Sequence, residues 1–203
     1  TDNKFKAAEF HHLRLAFEYV TGEDLNLFFN QWYTALGHPV LTFGHKVAED
    51  GKSVEVTVEQ SQDLDKSPIF KMPVQMAVFD ATGKHVHKVV IDEVNQSFNF
   101  PISGELKGIH FDDQQMLLAK IKDDKSIEEG IFQFYNGERF AARRDGFMLG
   151  TKDKTQIGQQ VVLDGLKDAF WNIRLLATGK MSRLKDESLA KGIAILKDMV
   201  AND

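Results

Sequence analysis

Ser53-Val54-Glu55-Val56-Thr57-Val58-Glu59-Gln60 alternates apolar and polar side chains without a break. Successive side chains of an extended chain point to opposite faces, so the run reads as a strand with one buried and one wet side. Glu49-Asp50-Gly51-Lys52 immediately before it is a hairpin turn, with Gly51 able to take positive φ. The period of two extends from Pro39 to about Ile121, and predicts further strands over 73–79, 85–91, 97–102, 107–111 and 116–121. Asp80-Ala81-Thr82-Gly83-Lys84 is a second hairpin turn. Short strands joined by turns, with no helices between them, predict an antiparallel β-sandwich over residues 39–124.

On both sides of this region the period is helical. Upstream, Phe5, Ala8, His12 or Leu13, Ala16 or Phe17, and Val20 recur at helix spacing until Thr21-Gly22. Thr21 with Asp24 fits the cap of a second helix, which carries Leu25, Phe28, Phe29, Trp32 and Leu36 on one face and ends at Gly37. Downstream, Ser126-Ile127-Glu128-Glu129 is a capping box and Asn136-Gly137 a stop. Further helices are expected over 138–149, from about Thr155 to a break near Asp168, over 169–177, and over 186–200. The class is therefore mixed α and β with the two segregated: a helical pair over 1–38, the sandwich over 39–124, and a helical array over 125–203. Short helices joined by short turns fit a helical-repeat array, although no internal sequence repeat is found.

Composition narrows the function classes. A hydrophobic share of 42% and a charged share of 27% over 203 residues are those of an ordinary globular chain. The formal net charge of −5 disfavours a nucleic-acid or anionic-membrane partner. The nearest approach to a basic cluster, Arg139, Arg143 and Arg144, is flanked by Glu138 and Asp145. The absence of cysteine excludes disulfides and thiolate metal sites, and leaves the compartment open. No apolar run approaches the roughly 20 residues of a membrane helix. Thr1-Asp2-Asn3-Lys4 has no apolar signal core, and reads as a processed end.

The histidines are His11, His12, His38, His45, His85, His87 and His110, and none forms His-Glu-x-x-His. That spacing puts two imidazoles on one helical face for zinc, with the glutamate acting on the attacking water. His85 and His87 share a strand face, which is either a two-ligand metal site or a solvated face beside a turn. His11-His12 is weaker, because adjacent helix residues diverge. Asp112-Asp113 and Asp123-Asp124 read as turn formers rather than acid–base pairs. Asn95-Gln96-Ser97 matches a glycosylation sequon, and there is no phosphate loop or nucleophile elbow.

Asp24-Leu25-Asn26-Leu27-Phe28-Phe29-Asn30-Gln31-Trp32, followed by Gly37-His38-Pro39, resembles the final catalytic-domain helix and Gly-x-Pro turn of the aminopeptidase N family, zinc metallopeptidases of the gluzincin type. Val56-Thr57-Val58-Glu59-Gln60, Phe70-Lys71-Met72-Pro73-Val74, Gly108-Ile109-His110-Phe111-Asp112 and Met116-Leu117-Leu118-Ala119-Lys120 are similar to that family's sandwich. Phe140-Ala141-Ala142-Arg143-Arg144-Asp145 and Phe170-Trp171-Asn172-Ile173-Arg174 look like the opening helices of its HEAT-like C-terminal domain. The segment from about Thr82 to Ser103 carries little of the resemblance.

The resemblance implies a non-catalytic C-terminal portion of an aminopeptidase that removes N-terminal residues from peptides. The sandwich would be a spacer between catalytic and helical domains. The family's zinc ligands, general-base glutamate, N-terminus-binding glutamate and transition-state tyrosine have no counterparts here. No catalytic, cofactor or metal residue is therefore assigned to this chain, and zinc is expected only in the parent enzyme. The implied partners are the remaining domains of the parent and its peptide substrates. Arg143, Arg144, Arg174 and Lys180 are conceivable counterparts of carboxylate-binding residues in some relatives, with none singled out. Two alternatives stand beside this: an interaction scaffold from a relative that has lost its zinc motif, and a complete two-domain binding module.

Overall fold

A computed structural model describes residues 4–202. Thr1, Asp2 and Asn3, read above as a processed end, lie outside the described residues, as does Asp203. The chain has segregated helical and sheet regions, as the two periods predict. Its elements in order are α1 (Phe10–Thr21), α2 (Asn26–Phe29) running into a π-helical turn (Asn30–Thr34), then β1 (Val40–Val47), β2 (Ser53–Gln60), β3 (Met72–Asp80), β4 (Gly83–Ile91), β5 (Asn95–Pro101), β6 (Gly108–His110) and β7 (Lys120–Asp123). The helices α3 (Ile127–Asn136), α4 (Phe140–Gly150), α5 (Gln156–Gly165), α6 (Trp171–Thr178) and α7 (Asp186–Asn202) follow, with a 3₁₀ turn (Met181–Arg183) before α7.

The strands form two sheets, ordered β5-β2-β1-β7 and β4-β3-β6. Their inward side chains share one core: Phe43, Val54, Val56 and Val58 from the first sheet meet Val74, Met76, Val78 and Ile91 from the second. The alternation of β2 is reproduced residue by residue, its valines buried and its glutamates exposed. Both expected hairpins form: Gly51 sits at φ 66°, and Asp80 pairs with Gly83 around a two-residue loop.

Three expectations are corrected. The sheets are not wholly antiparallel, because β7 runs parallel to β1 with Val40 opposite Lys120 and Phe43 opposite Asp123. The strand expected over 116–121 begins only at Lys120. The Asp112 carboxylate accepts hydrogen bonds from the N–H groups of Met116 (3.0 Å) and Leu117 (2.8 Å), which holds that stretch as a loop. The helix expected over 24–36 is one α-turn followed by a π-turn, the Ala35 N–H reaching back to Asn30 O at 2.9 Å. Asp24 supplies its entry bond, accepting from the Asn26 N–H at 2.8 Å, while Thr21 Oγ1 accepts from the Glu23 N–H at 3.2 Å, ahead of the helix, and donates to Phe17 O of the preceding one.

The second core lies among the helices, with Phe147, Val161, Val162, Leu166, Ile173 and Ala177 at its centre. The capping box is present in full: Ser126 Oγ accepts from the Glu129 N–H, and Glu129 Oε2 from the Ser126 N–H. Helices α3 and α4 pack at backbone distance, since a Cβ on Gly146 would lie 2.4 Å from Phe134 N and 2.6 Å from Gly130 O.

Candidate functional site

The side chains that stand out are those that fix one part of the molecule to another. At the first joint, the buried Gln31 of the π-turn donates from Nε2 to Lys71 O (2.8 Å) and accepts from the Lys71 N–H at Oε1 (3.0 Å). The amide thus acts as one rung of a β-ladder, satisfying a backbone position just before β3. Trp32 lies against Phe70 with ring centroids 5.3 Å apart, and Phe29 is buried, stacked on Tyr33 at 4.9 Å. Gln60 and Gln62 continue the pattern: Gln60 accepts from the Phe70 N–H (2.9 Å) and donates to Phe70 O (2.8 Å), while Gln62 donates to Pro68 O (2.9 Å). Three buried glutamines thus hold the segment between β2 and β3.

The remainder of the N-terminal arm is barely packed. Helix α1 buries none of its residues, and Phe17, Tyr19, Val20, Phe28 and Leu36 are exposed. The single apolar face expected on the second helix is therefore divided, with Trp32 packed on the sheet core, Phe29 buried against Tyr33, and Phe28 and Leu36 exposed.

The second joint connects the sheets to the helices. Phe132 of α3 stands edge-on to Phe79 at 5.2 Å, over Gly108, where a Cβ would lie 3.0 Å from its ring. Lys84 bridges Asp113 (2.8 Å) and Glu138 (2.6 Å), while His45 Nε2 meets Glu129 Oε1 at 3.2 Å. Asp113 is only 2% exposed, so Lys84 compensates a buried carboxylate. His110 lies 3.7 Å from the same carboxylate; burial lowers its pKa to about 4, and its Nε2 has no hydrogen-bond partner among the described residues.

The residues weighed from sequence fall mostly into structural roles. His85 Nε2 faces Asp80 Oδ1 (3.2 Å) and Thr82 Oγ1 (2.9 Å), whereas His87 stacks on Phe100 at 4.3 Å. Burial lowers the His87 pKa, and the His85 charge adds to the effect. Among the described residues, no group of three or more His, Cys, Asp or Glu side chains is placed to hold a metal. The His11 and His12 rings lie 4.0 Å apart, closer than adjacent helix positions imply, because His12 Nδ1 turns back to accept the Glu9 N–H.

Asp112 is a turn former, as expected, but Asp113 is an ion-pair residue. Asp123 pairs with Lys125. Arg143 grips Asp168 through two bonds (3.0 and 3.1 Å), Arg144 pairs with Asp145, and Arg174 donates to Asp168 O and Ala169 O. Of these, Arg143 ties α4 to the turn between α5 and α6, while the Arg144 and Arg174 bonds are local. Gln31, Lys84 and Phe132 are the functional candidates that the spacing of residues does not single out. Gln31 is part of a quoted motif, but its partner lies 40 positions away.

No family model matches the chain, and no curated protein does. Among solved structures, the chain is similar to Legionella pneumophila aminopeptidase A, crystallised in complex with aspartic acid, with TM-score 0.69 and 16% identity over 99% of this chain. The chain spans 26% of that structure's length. At this identity the likeness establishes a shared fold with part of an aminopeptidase. Among the described residues, no helix is long and apolar enough to cross a membrane.

Proposed function

We propose that this chain is the non-catalytic portion of a zinc aminopeptidase of the aminopeptidase N type, comprising the last catalytic-domain helices, a sandwich spacer and the first helices of a HEAT-like domain. The observation that carries this reading is a likeness extending over 99% of the chain yet only 26% of an aminopeptidase. The residue blocks from Asp24 to Leu41 and from Phe170 to Arg174 support the same alignment of parts. In the parent, zinc and its general base would reside in the catalytic domain, and peptides would be cleaved by metal-assisted hydrolysis. The role of this portion is positional. The Gln31 clamp sets the angle of the arm on the sheets, and Lys84 with Phe132 sets the angle of the helices. Together they define the path by which peptides reach the metal. The exposed apolar residues of α1 and the π-turn are the surface that the catalytic domain would cover.

The test uses an aminoacyl-nitroanilide substrate and two proteins. The expected outcome is chelator-sensitive release of nitroaniline by the complete gene product that carries this segment, and none by the 203-residue chain supplied with zinc. Zinc-dependent turnover by the short chain alone overturns the reading. An inert complete product lacking His-Glu-x-x-His replaces it with the interaction scaffold.

A further inference from the structure

A second surface, on the opposite side of the sheet from the shared core, has features that neither joint uses. Residues 73, 75, 88 and 90 lie on the outward face of β3 and β4, where Pro73 pairs with Val90 and Gln75 with Lys88. The loop after β6 rises beside them, and together they enclose a concavity of about 590 Å³ whose other walls are Met116 and Arg139. Its floor is largely apolar: Pro73 is exposed and Val90 is 41% exposed, while Met116 on the rim is 80% exposed.

The loop that presents Met116 is held by an uncommon backbone. Asp112 and Gln115 both adopt positive φ, at 49° and 53°, a region that side chains other than glycine's seldom occupy. The Asp112 carboxylate fixes the shape by accepting the two N–H groups beyond it. Backbone of this kind persists where the surroundings over-determine it, and it gathers at binding surfaces. Here its visible effect is to hold a flexible, polarizable thioether in solvent at the edge of an apolar concavity.

The solvent-exposed charges of the concavity are of one sign. Lys88 has no ion-pair partner among the described residues. Arg139 bonds only the neutral Gln114, with Nη2 donating to Oε1 at 2.9 Å. The carboxylate in the wall, Asp112, is 3% exposed and already occupied by backbone N–H groups. Two cations therefore face an apolar floor whose lining residues include no exposed acidic side chain, in a chain whose net charge is −5. That is the electrostatic and apolar complement of an acidic peptide segment in which carboxylates alternate with aliphatic residues.

We infer that the outer face of β3 and β4, between Lys88, Met116 and Arg139, docks an acidic peptide segment, its carboxylates on Lys88 and Arg139 and its aliphatic side chain on Pro73, Val90 and Met116. This site is independent of the aminopeptidase reading and stands or falls separately from it.

The experiment is a titration of isotope-labelled protein, followed by amide chemical shifts, with the peptide acetyl-Glu-Leu-Glu-Leu-Glu-amide and its glutamine counterpart. The expected result is a set of shifts centred on Lys88, Val90, Met116 and Arg139 with the glutamate peptide only. Affinity should fall by about fivefold or more in the Lys88→Ala, Arg139→Gln double variant, and also between about 50 mM and about 500 mM salt. Lys46→Ala, which removes an exposed lysine from β1, should bind like the parent. Equal binding of the glutamine peptide, shifts centred elsewhere, an unaffected double variant, an equal loss in Lys46→Ala, or no shifts at millimolar peptide each overturns the proposal.

Discussion

Two side chains govern more than their size would imply. Gln31 meets both polar groups of the Lys71 backbone, so Gln31→Ala leaves a donor and an acceptor without partners near a buried edge. The expected cost is about 1–3 kcal/mol in urea denaturation, with faster hydrogen exchange at the Lys71 amide and little change in the valines of β2. His110 gives stability a pH dependence of definite sign. Its folded pKa, lowered by burial to about 4, lies below the ordinary 6.5, so between these values the unfolded chain binds the proton and the folded chain does not. This contribution is fully present above pH 6.5 and is lost as pH falls toward 4, a change of about 3 kcal/mol for a shift of this size. His110→Asn should flatten that part of the profile, as read from denaturation midpoints at neutral and mildly acidic pH.

Among the elements, α3 and α4 leave little room for added volume where they face each other. A methyl group on Gly146 would meet backbone atoms at 2.4 and 2.6 Å, and one on Gly130 would meet Leu149 Cγ at 2.6 Å and its Cβ, which no rotamer change removes, at 2.7 Å. Gly146→Ala and Gly130→Ala should therefore each destabilise by about 2 kcal/mol or more, in thermal melts of the two variants. The elements also show where local pattern is informative. β2 was legible because its alternation and its burial are the same fact, and α3 because Ser126 and Glu129 carry both halves of its cap. The loop through Met116 was not legible, since an apolar run resembling a strand is held out of the sheet by one carboxylate. Nor was the parallel pairing of β7 with β1, which depends on where the chain returns after 80 positions between Val40 and Lys120. The joints were partly legible: the motif containing Gln31 stood out, but a contact 40 positions away leaves no trace in periodicity.

At the scale of the whole molecule, two cores are connected through a small set of side chains. Lys84→Met removes the cation from a carboxylate that is 2% exposed, and an uncompensated buried charge costs about 3 kcal/mol or more. The expected outcome is that a single thermal transition of the parent protein separates into two, one for each core, as followed by calorimetry. Val161→Ala, inside the helical core, should lower stability without weakening the connection itself. The arrangement of β1 and β7 has a mechanical corollary. The N-terminal arm enters β1 at its first residue, and the helices leave β7 at its last. Because these strands point the same way, tension between the chain's two ends slides one along the other and loads their slanted rungs together, instead of unzipping them one at a time. A short four-residue strand thereby becomes the force-bearing seam of the molecule.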